Sequence, residues 1–421
     1  MDTVSDRSET SETSETSETK VSAFPQPIGQ GTMTGVLGAK LTESGFSASE
    51  LSGRLERVRD QLERRGVDLL MVTDPDNIYY LTGARELGSY VLQAIIVGAS
   101  HDPVFAGRYV DSLAYTAHTG IEAAFVYRDH ESPESVIASA LVSQGAVGAR
   151  IGYEGGATGL TPKSLAEIQS LVRAAEWIDA TNVVRSLRAT KSHQELALMR
   201  EAARINKLAL DRTLADIREG ITDSFVAAQL FAGMVQHGSH PMAYFSVSSG
   251  INTAFPHSTY SGRELEVGDV ILFEFSAARF RYHAPIMRTA VLANPSRTVL
   301  ELHAAAEAGL AAALDRIRPG VTSSSVDMAA NAAIEELGAG PSHFHRTGYS
   351  VGLTTNLYWP EGHIVSLRKN DPTLIEENMV FHLPMTLYRP NIVGAGISET
   401  VRVTDSGVEV LTGSPRELLI V

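Results

Sequence analysis

The chain has no cysteine, which excludes disulfides, thiolate nucleophiles, Cys-ligated zinc and iron–sulfur clusters. It is poor in aromatics, at 7% with two tryptophans, and short of positive charge: 35 Lys and Arg face 49 Asp and Glu, a net charge of -14. A nucleic-acid partner needs clustered basic residues, and none is expected here. No apolar run reaches the ~18 residues of a membrane span, and the amino terminus lacks the basic start and apolar stretch of a secretory signal. Walker loops, dinucleotide glycine fingerprints and HExxH motifs are missing. The expectation is a cytoplasmic protein that binds neither membrane nor nucleic acid.

What remains is long enough, at 421 residues with 43% apolar, for two to three domains with a substantial core. Residues 1–40 read as a disordered tail and linker. Four Ser-Glu-Thr triplets run from Ser8 to Thr19, and a stretch rich in Gly and Pro follows from Val21. From Ser47 the pattern turns helical, with Leu51, Leu55, Val58 and Leu62 on one face and Gly66 as the stop. Short apolar runs at Leu69 to Val72, Val91 to Val97, Ala123 to Tyr127 and Ile151 to Tyr153 then alternate with helical segments. This predicts an α/β domain over 41–189. A long amphipathic helix from Ser192 to Arg218 opens the second domain, 190–421. Strands at Val270 to Phe275, Ile286 to Leu292, Val380 to Leu387 and Ser398 to Val403 mix there with helices at Thr298 to Ile317 and Ser323 to Leu337, an α+β pattern. No repeat with a period of 20 to 50 residues is visible.

Three residues stand out as catalytic candidates. His257 sits in a loop punctuated by Gly250 and Pro256, where an imidazole of ordinary pKa near 6.5 suits proton transfer, although a surface histidine would read the same. Glu274 interrupts an apolar strand, Val270 to Phe275, where a carboxylate is costly without a partner. Glu399 repeats the situation more weakly. Each glutamate either faces solvent, pairs with an arginine such as Arg288, or receives a small cation, since a carboxylate accepts two parallel N–H bonds from an amidinium or guanidinium fork. His343 and His345 fall on one side of an expected strand and read as a hydrogen-bonded pair more readily than as metal ligands.

The order of several motifs resembles the creatinase and Xaa-Pro aminopeptidase superfamily. They are Ser249-Gly250-Ile251-Asn252-Thr253 leading to His257, Gly268-Asp269-Val270-Ile271-Leu272, Arg288-Thr289, Gly348-Tyr349-Ser350-Val351-Gly352, Phe381-His382-Leu383-Pro384 and Ser398-Glu399-Thr400. The likeness covers Leu51 to the end. It implies a creatinase-type α/β domain followed by a "pita-bread" α+β domain, and a homodimer in which one subunit's first domain closes the other's site. Peptidases of the superfamily hold two metal ions through two aspartates, a histidine and two glutamates. Set against that pattern, Glu274 stands for the first aspartate, Pro285 for the second, Tyr349 for the histidine and Leu383 for the first glutamate, with Glu399 unchanged. Proline and leucine offer no ligand, so no metal and no other cofactor is expected.

Within the superfamily, Tyr282-His283-Ala284-Pro285, Arg346-Thr347-Gly348-Tyr349, Trp359-Pro360-Glu361-Gly362-His363 and Ser398-Glu399-Thr400 resemble the ectoine hydrolases, whose substrate is a cyclic amidine bearing a carboxylate. The segment Ala84 to Tyr90 departs from the aromatic stretch those enzymes carry after Leu-Thr-Gly. The resemblance implies metal-independent hydrolysis of a C–N bond in a small cationic or zwitterionic amidine or guanidino compound. Glu274 would meet the cation, Glu399 balance charge and His257 shuttle a proton. Tyr349, Arg346, Arg85, Tyr90, Trp359 and His283 would shape the substrate site. The competing expectations are a metal-less binding protein of the same fold, a specialised-metabolism enzyme with another substrate and, less favoured, a metal-dependent Xaa-Pro aminopeptidase.

Overall fold

A computed structural model describes residues 45–421 apart from 86, 87, 89, 100, 101, 121–124, 242–244 and 357. The tail expected to be disordered lies outside the described residues. The first domain opens on α1 (Ala48–Arg65), capped by the Ser47 side chain and ended by Gly66 at φ 60, as a left-handed stop requires. Six strands follow: β1 (Leu69–Val72), β2 (Ala94–Gly98), β3 (Val104–Arg108), β4 (Phe125–Tyr127), β5 (Arg150–Tyr153) and β6 (Glu176–Asp179). They form one mixed sheet in the order β4-β3-β2-β1-β5-β6. Helices α2 (Pro75–Thr82), α3 (Tyr109–Thr119), α4 (Pro133–Ser143), α5 (Pro162–Leu171) and α6 (Asn182–Ala189) complete the domain. Every residue of α2 is buried, so it has no polar face to betray it in the sequence.

The second domain begins with α7 (His193–Ala215), held at its start by a capping box between Ser192 and Glu195. Then come α8 (Asp223–Gln236), β7 (Ser246–Ser249), β8 (Val270–Phe275), β9 (Ala278–Arg279), β10 (Tyr282–His283), β11 (Ile286–Val291), α9 (Arg297–Arg316), α10 (Ser323–Glu336), β12 (Gly348–Ser350), β13 (Ser366–Leu367), β14 (Val380–Arg389), β15 (Val393–Val403), β16 (Val408–Val410) and β17 (Leu419–Ile420). Two sheets result, β17-β11-β8-β7 and β13-β12-β14-β15-β16. Helices α7 and α8 bury the first against Ile271, Phe273 and Phe275; α9 and α10 bury the second against Phe381, Leu383, Ile397 and Val401.

The two halves repeat one another at an offset of 100 residues, longer than the 20 to 50 residues of the common repeats. Ile217, Gly220 and Thr222 recur as Ile317, Gly320 and Thr322. Gly220 and Gly320 have φ 81 and 84, and Thr222 and Thr322 cap α8 and α10. Each half thus supplies a helix pair behind a sheet, leaving the opposite sheet faces for a site.

The domains share one core: Val58, Leu62 and Tyr79 pack in the same cluster as Tyr282, Leu353 and Trp359. A buried polar junction pins it. Arg188 donates to Asn77 at 2.7 Å and Glu361 at 2.5 Å and lies 3.4 Å from Asp76, while Lys191 meets Glu361 at 3.1 Å. Among the described residues no helix is long and apolar enough to cross a membrane.

Candidate active site

Strand alternation decides which side chains can meet a substrate. On β8, Ile271, Phe273 and Phe275 enter the helix-backed core, so Glu274 points to the other face. It is the partly exposed member of an otherwise buried strand, opposite Ser246 and Met287. The carboxyl has no hydrogen-bond or ion-pair partner among the described residues, and loss of water alone pushes it up to about 7.

On β14 the odd-numbered residues Phe381, Leu383, Met385 and Leu387 belong to the core. His382, Pro384 and Thr386 therefore face the site. On β15, Ile397 and Val401 are core, and Ser398 and Thr400 face the site. The strands pair so that Pro384 lies opposite Ser398, and Leu383 opposite Glu399.

This register corrects two sequence expectations at once. Leu383 and Glu399 are on the wrong face, because shifting a strand by one residue exchanges its faces. The site-facing neighbours are Pro384 and Ser398. Glu399 instead takes the arginine pairing weighed from the sequence: one carboxylate oxygen accepts from Arg288 at 2.8 Å and Arg416 at 3.0 Å, and the other from Thr412. Both oxygens are engaged on the face turned away from the site.

Tyr349 lies opposite His382, and its phenolic oxygen is 2.9 Å from His382 Nδ1 and 3.2 Å from Trp359 Nε1. His382 Nε2 in turn meets Ser398 Oγ at 2.7 Å. Burial, with His345 nearby, pushes the His382 imidazole down to about 3, so it is neutral. Burial raises the Tyr349 phenol, and the Glu274 charge raises it further, which places these two groups within electrostatic reach. Arg346 stacks over the Tyr349 ring at 4.8 Å and donates to Ser366 at 3.2 Å.

His257 is exposed at the rim, in a left-handed conformation (φ 61) unusual for a residue with a Cβ. Its loop is held from below by buried Asp223, which accepts from Ser249 Oγ and from the backbone N–H groups of Ser261, Gly262 and Arg263. Close packing of Thr253 on Gly394 leaves no room there for a Cβ. His345 follows a short 3₁₀ turn, not a strand as expected. Its ring meets His343 at 4.6 Å, and its pKa is lowered chiefly by burial and also by His257. His257 thus acts electrostatically on His345, and His345 on His382.

The remaining sequence candidates are scattered. Trp359 is in the site, on Tyr349. His283 is buried and its Nδ1 unpartnered, with burial, then Arg281, pushing it down to about 3. Arg85 lies over the Phe280 ring at 5.0 Å, at the tip of the β9–β10 hairpin. Tyr90 is 80% exposed on the first domain, receiving a hydrogen bond from Arg108 at 3.3 Å.

As a metal centre the donor set does not fit. The site-facing groups at the former ligand positions are Glu274, Pro285, Tyr349, Pro384 and Ser398, which hold one carboxylate between them. Among the described residues no three His, Asp or Glu side chains converge to hold an ion.

Fold and site together define a hydrolase-type chain built from a creatinase-type domain and a pita-bread domain. Residues 54–190 match the creatinase/prolidase N-terminal domain, and residues 197–405 match metallopeptidase family M24. The chain belongs to this family, the creatinase and Xaa-Pro aminopeptidase superfamily. It is 30% identical to an ectoine hydrolase from Halomonas elongata over 89% of its length and 98% of the relative's. A Xaa-Pro dipeptidase from Pyrococcus horikoshii is 26% identical over 88% of this chain and 99% of the relative. The dipeptidase PepE of Mycobacterium ulcerans superposes with a TM-score of 0.78 at 25% identity, covering 89% of this chain and 99% of that one.

Proposed function

We propose that this protein hydrolyses a C–N bond in a small amidine or guanidino compound without a metal ion. The observation that carries the reading is the unpartnered Glu274 carboxyl, within electrostatic reach of Tyr349, where peptidases of the superfamily would hold metal ions. A cation entering the site supplies the missing counter-charge. It lowers the carboxyl's pKa, and the carboxylate forms a paired hydrogen bond with the amidinium fork.

Glu274 then either orients the water that attacks the amidine carbon or attacks it directly, and the C–N bond breaks from the tetrahedral intermediate; on the direct route a water then cleaves the bond between the glutamate and the substrate carbon and frees the carboxylate. His257 delivers the proton that lets the nitrogen leave as a neutral amine. Arg346, held over Tyr349, meets a carboxylate on the substrate in this reading. Glu399 has no role in this chemistry, since its oxygens are engaged beneath the sheet.

We further propose that the active form is a homodimer, with Tyr90 meeting a second copy beside the exposed Tyr109, Val110 and Leu113 of α3. The direct test of the mechanism is Glu274→Ala: turnover of an amidine substrate is abolished while circular dichroism is unchanged. Turnover by that variant overturns the proposal.

A further inference from the structure

The hydrogen bonds behind Tyr349 can be counted proton by proton. Indole N–H only donates, so Trp359 occupies one acceptor position on the Tyr349 oxygen. His382 is neutral, so one ring nitrogen donates and the other accepts. Two arrangements satisfy the ring. In one, the Tyr349 hydroxyl donates to Nδ1, and Nε2–H donates to Ser398. The Ser398 hydroxyl proton is then stranded, because its oxygen has no partner other than His382 among the described residues and the side chain is fully buried. In the other, Ser398 donates to Nε2 and Nδ1–H donates to Tyr349. Every buried proton is then placed except that of Tyr349 itself, for which the unpartnered Glu274 carboxyl, close enough for its charge to raise the phenol, is the available acceptor.

We propose that His382 is a positioning residue, fixed by Ser398 as its Nδ1–H tautomer, so that Tyr349 accepts from Trp359 and His382 and must donate its own hydrogen bond toward Glu274 and its substrate. The inference rests on the reading of Glu274 as the group that meets the substrate. Tyr349 transfers no proton in this scheme. It stabilises charge that grows on the nitrogen or oxygen atoms around the attacked carbon, a role worth most where the donor is already aimed before reaction. His382 acts through Tyr349 and touches nothing that reacts.

The tautomer is read directly by NMR of protein carrying ¹⁵N-histidine, with the His382 signal assigned by its loss in His382→Asn. The expected result is a protonated Nδ1 and an unprotonated Nε2, and a shift toward protonated Nε2 in Ser398→Ala. A protonated Nε2 in the native protein overturns the proposal. Kinetics give the second readout. His382→Leu should lower kcat about 100-fold with little change in KM, and Tyr349→Phe/His382→Leu should be no slower than Tyr349→Phe alone. His382→Asn, which keeps a donor at the δ position, should recover most of that loss. Wild-type kcat in His382→Leu, or a His382→Asn enzyme as slow as His382→Leu, also overturns it. If wild-type protein turns over no amidine, the reading of Glu274 fails, and the tautomer measurement still decides the hydrogen-bond assignment.

Discussion

Arg288 and Glu399 meet at 2.8 Å on the core side of the strands whose other side carries Met287 and Ser398. Arg288 also donates to the carbonyls of Met287, Ser398, Ser414 and Pro415, so the guanidinium fastens the C-terminal segment beneath the site. Removing one partner of such a buried pair leaves the other uncompensated, at a cost of about 3–5 kcal/mol. Glu399→Gln should therefore lose stability of that order in urea denaturation while its folded fraction keeps near-native kcat. A well-folded but inactive Glu399→Gln protein would return Glu399 to the catalytic machinery.

Glu274 gives the pH dependence. Its carboxyl is raised from 4.5 to about 7, so between those values the native state holds a proton that the unfolded chain has released. Stability should fall as pH rises through this window, by about 3 kcal/mol in all, and Glu274→Gln should remove that fall and be the more stable protein above pH 7. Activity should run the other way. Because the free enzyme must present a carboxylate, kcat/KM should rise with pH through about 7. Thermal melts of the two proteins and the pH–rate profile of the native one check both signs.

Much of the architecture could be read from residue order because it rests on local rules. Ser47 and Gly66 bracket α1, the Ser192 capping box starts α7, and the apolar run around Glu274 marks β8. What escaped depended on tertiary parity. Helices α2 and α8 show too little polar periodicity to announce themselves, since α2 is wholly buried. Glu399 and Leu383 drew attention by residue type, yet the face each occupies follows from pairing β14 with β15 in one register. His382 and Ser398 were the neighbours to watch, but the contacts that give them meaning span 33 and 16 residues. Asp223 sits in the first turn of α8 and gains its role only because the loop carrying His257 closes over it.

The junction between domains offers a third expectation. Arg188 is buried against Asp76, Asn77, Glu361 and the carbonyl of Leu353, groups drawn from both domains. Arg188→Met should cost about 3–5 kcal/mol and, by leaving Asp76 and Glu361 short of a cation, should destabilise more at pH 8 than at pH 5. Urea titrations at the two pH values test this, and an equal loss at both would argue against the charge account.

The central claim is that the chemistry needs no metal and acts on an amidine. The most direct measurement incubates protein stripped with chelator, and the same protein reloaded with Mn, Zn or Fe, with ectoine, creatine, related amidines and Xaa-Pro dipeptides, following products by mass spectrometry. The account expects hydrolysis of an amidine at equal rates in both preparations and no cleavage of the dipeptides. Cleavage of a Xaa-Pro dipeptide by the reloaded protein, with no amidine consumed by either, would contradict it.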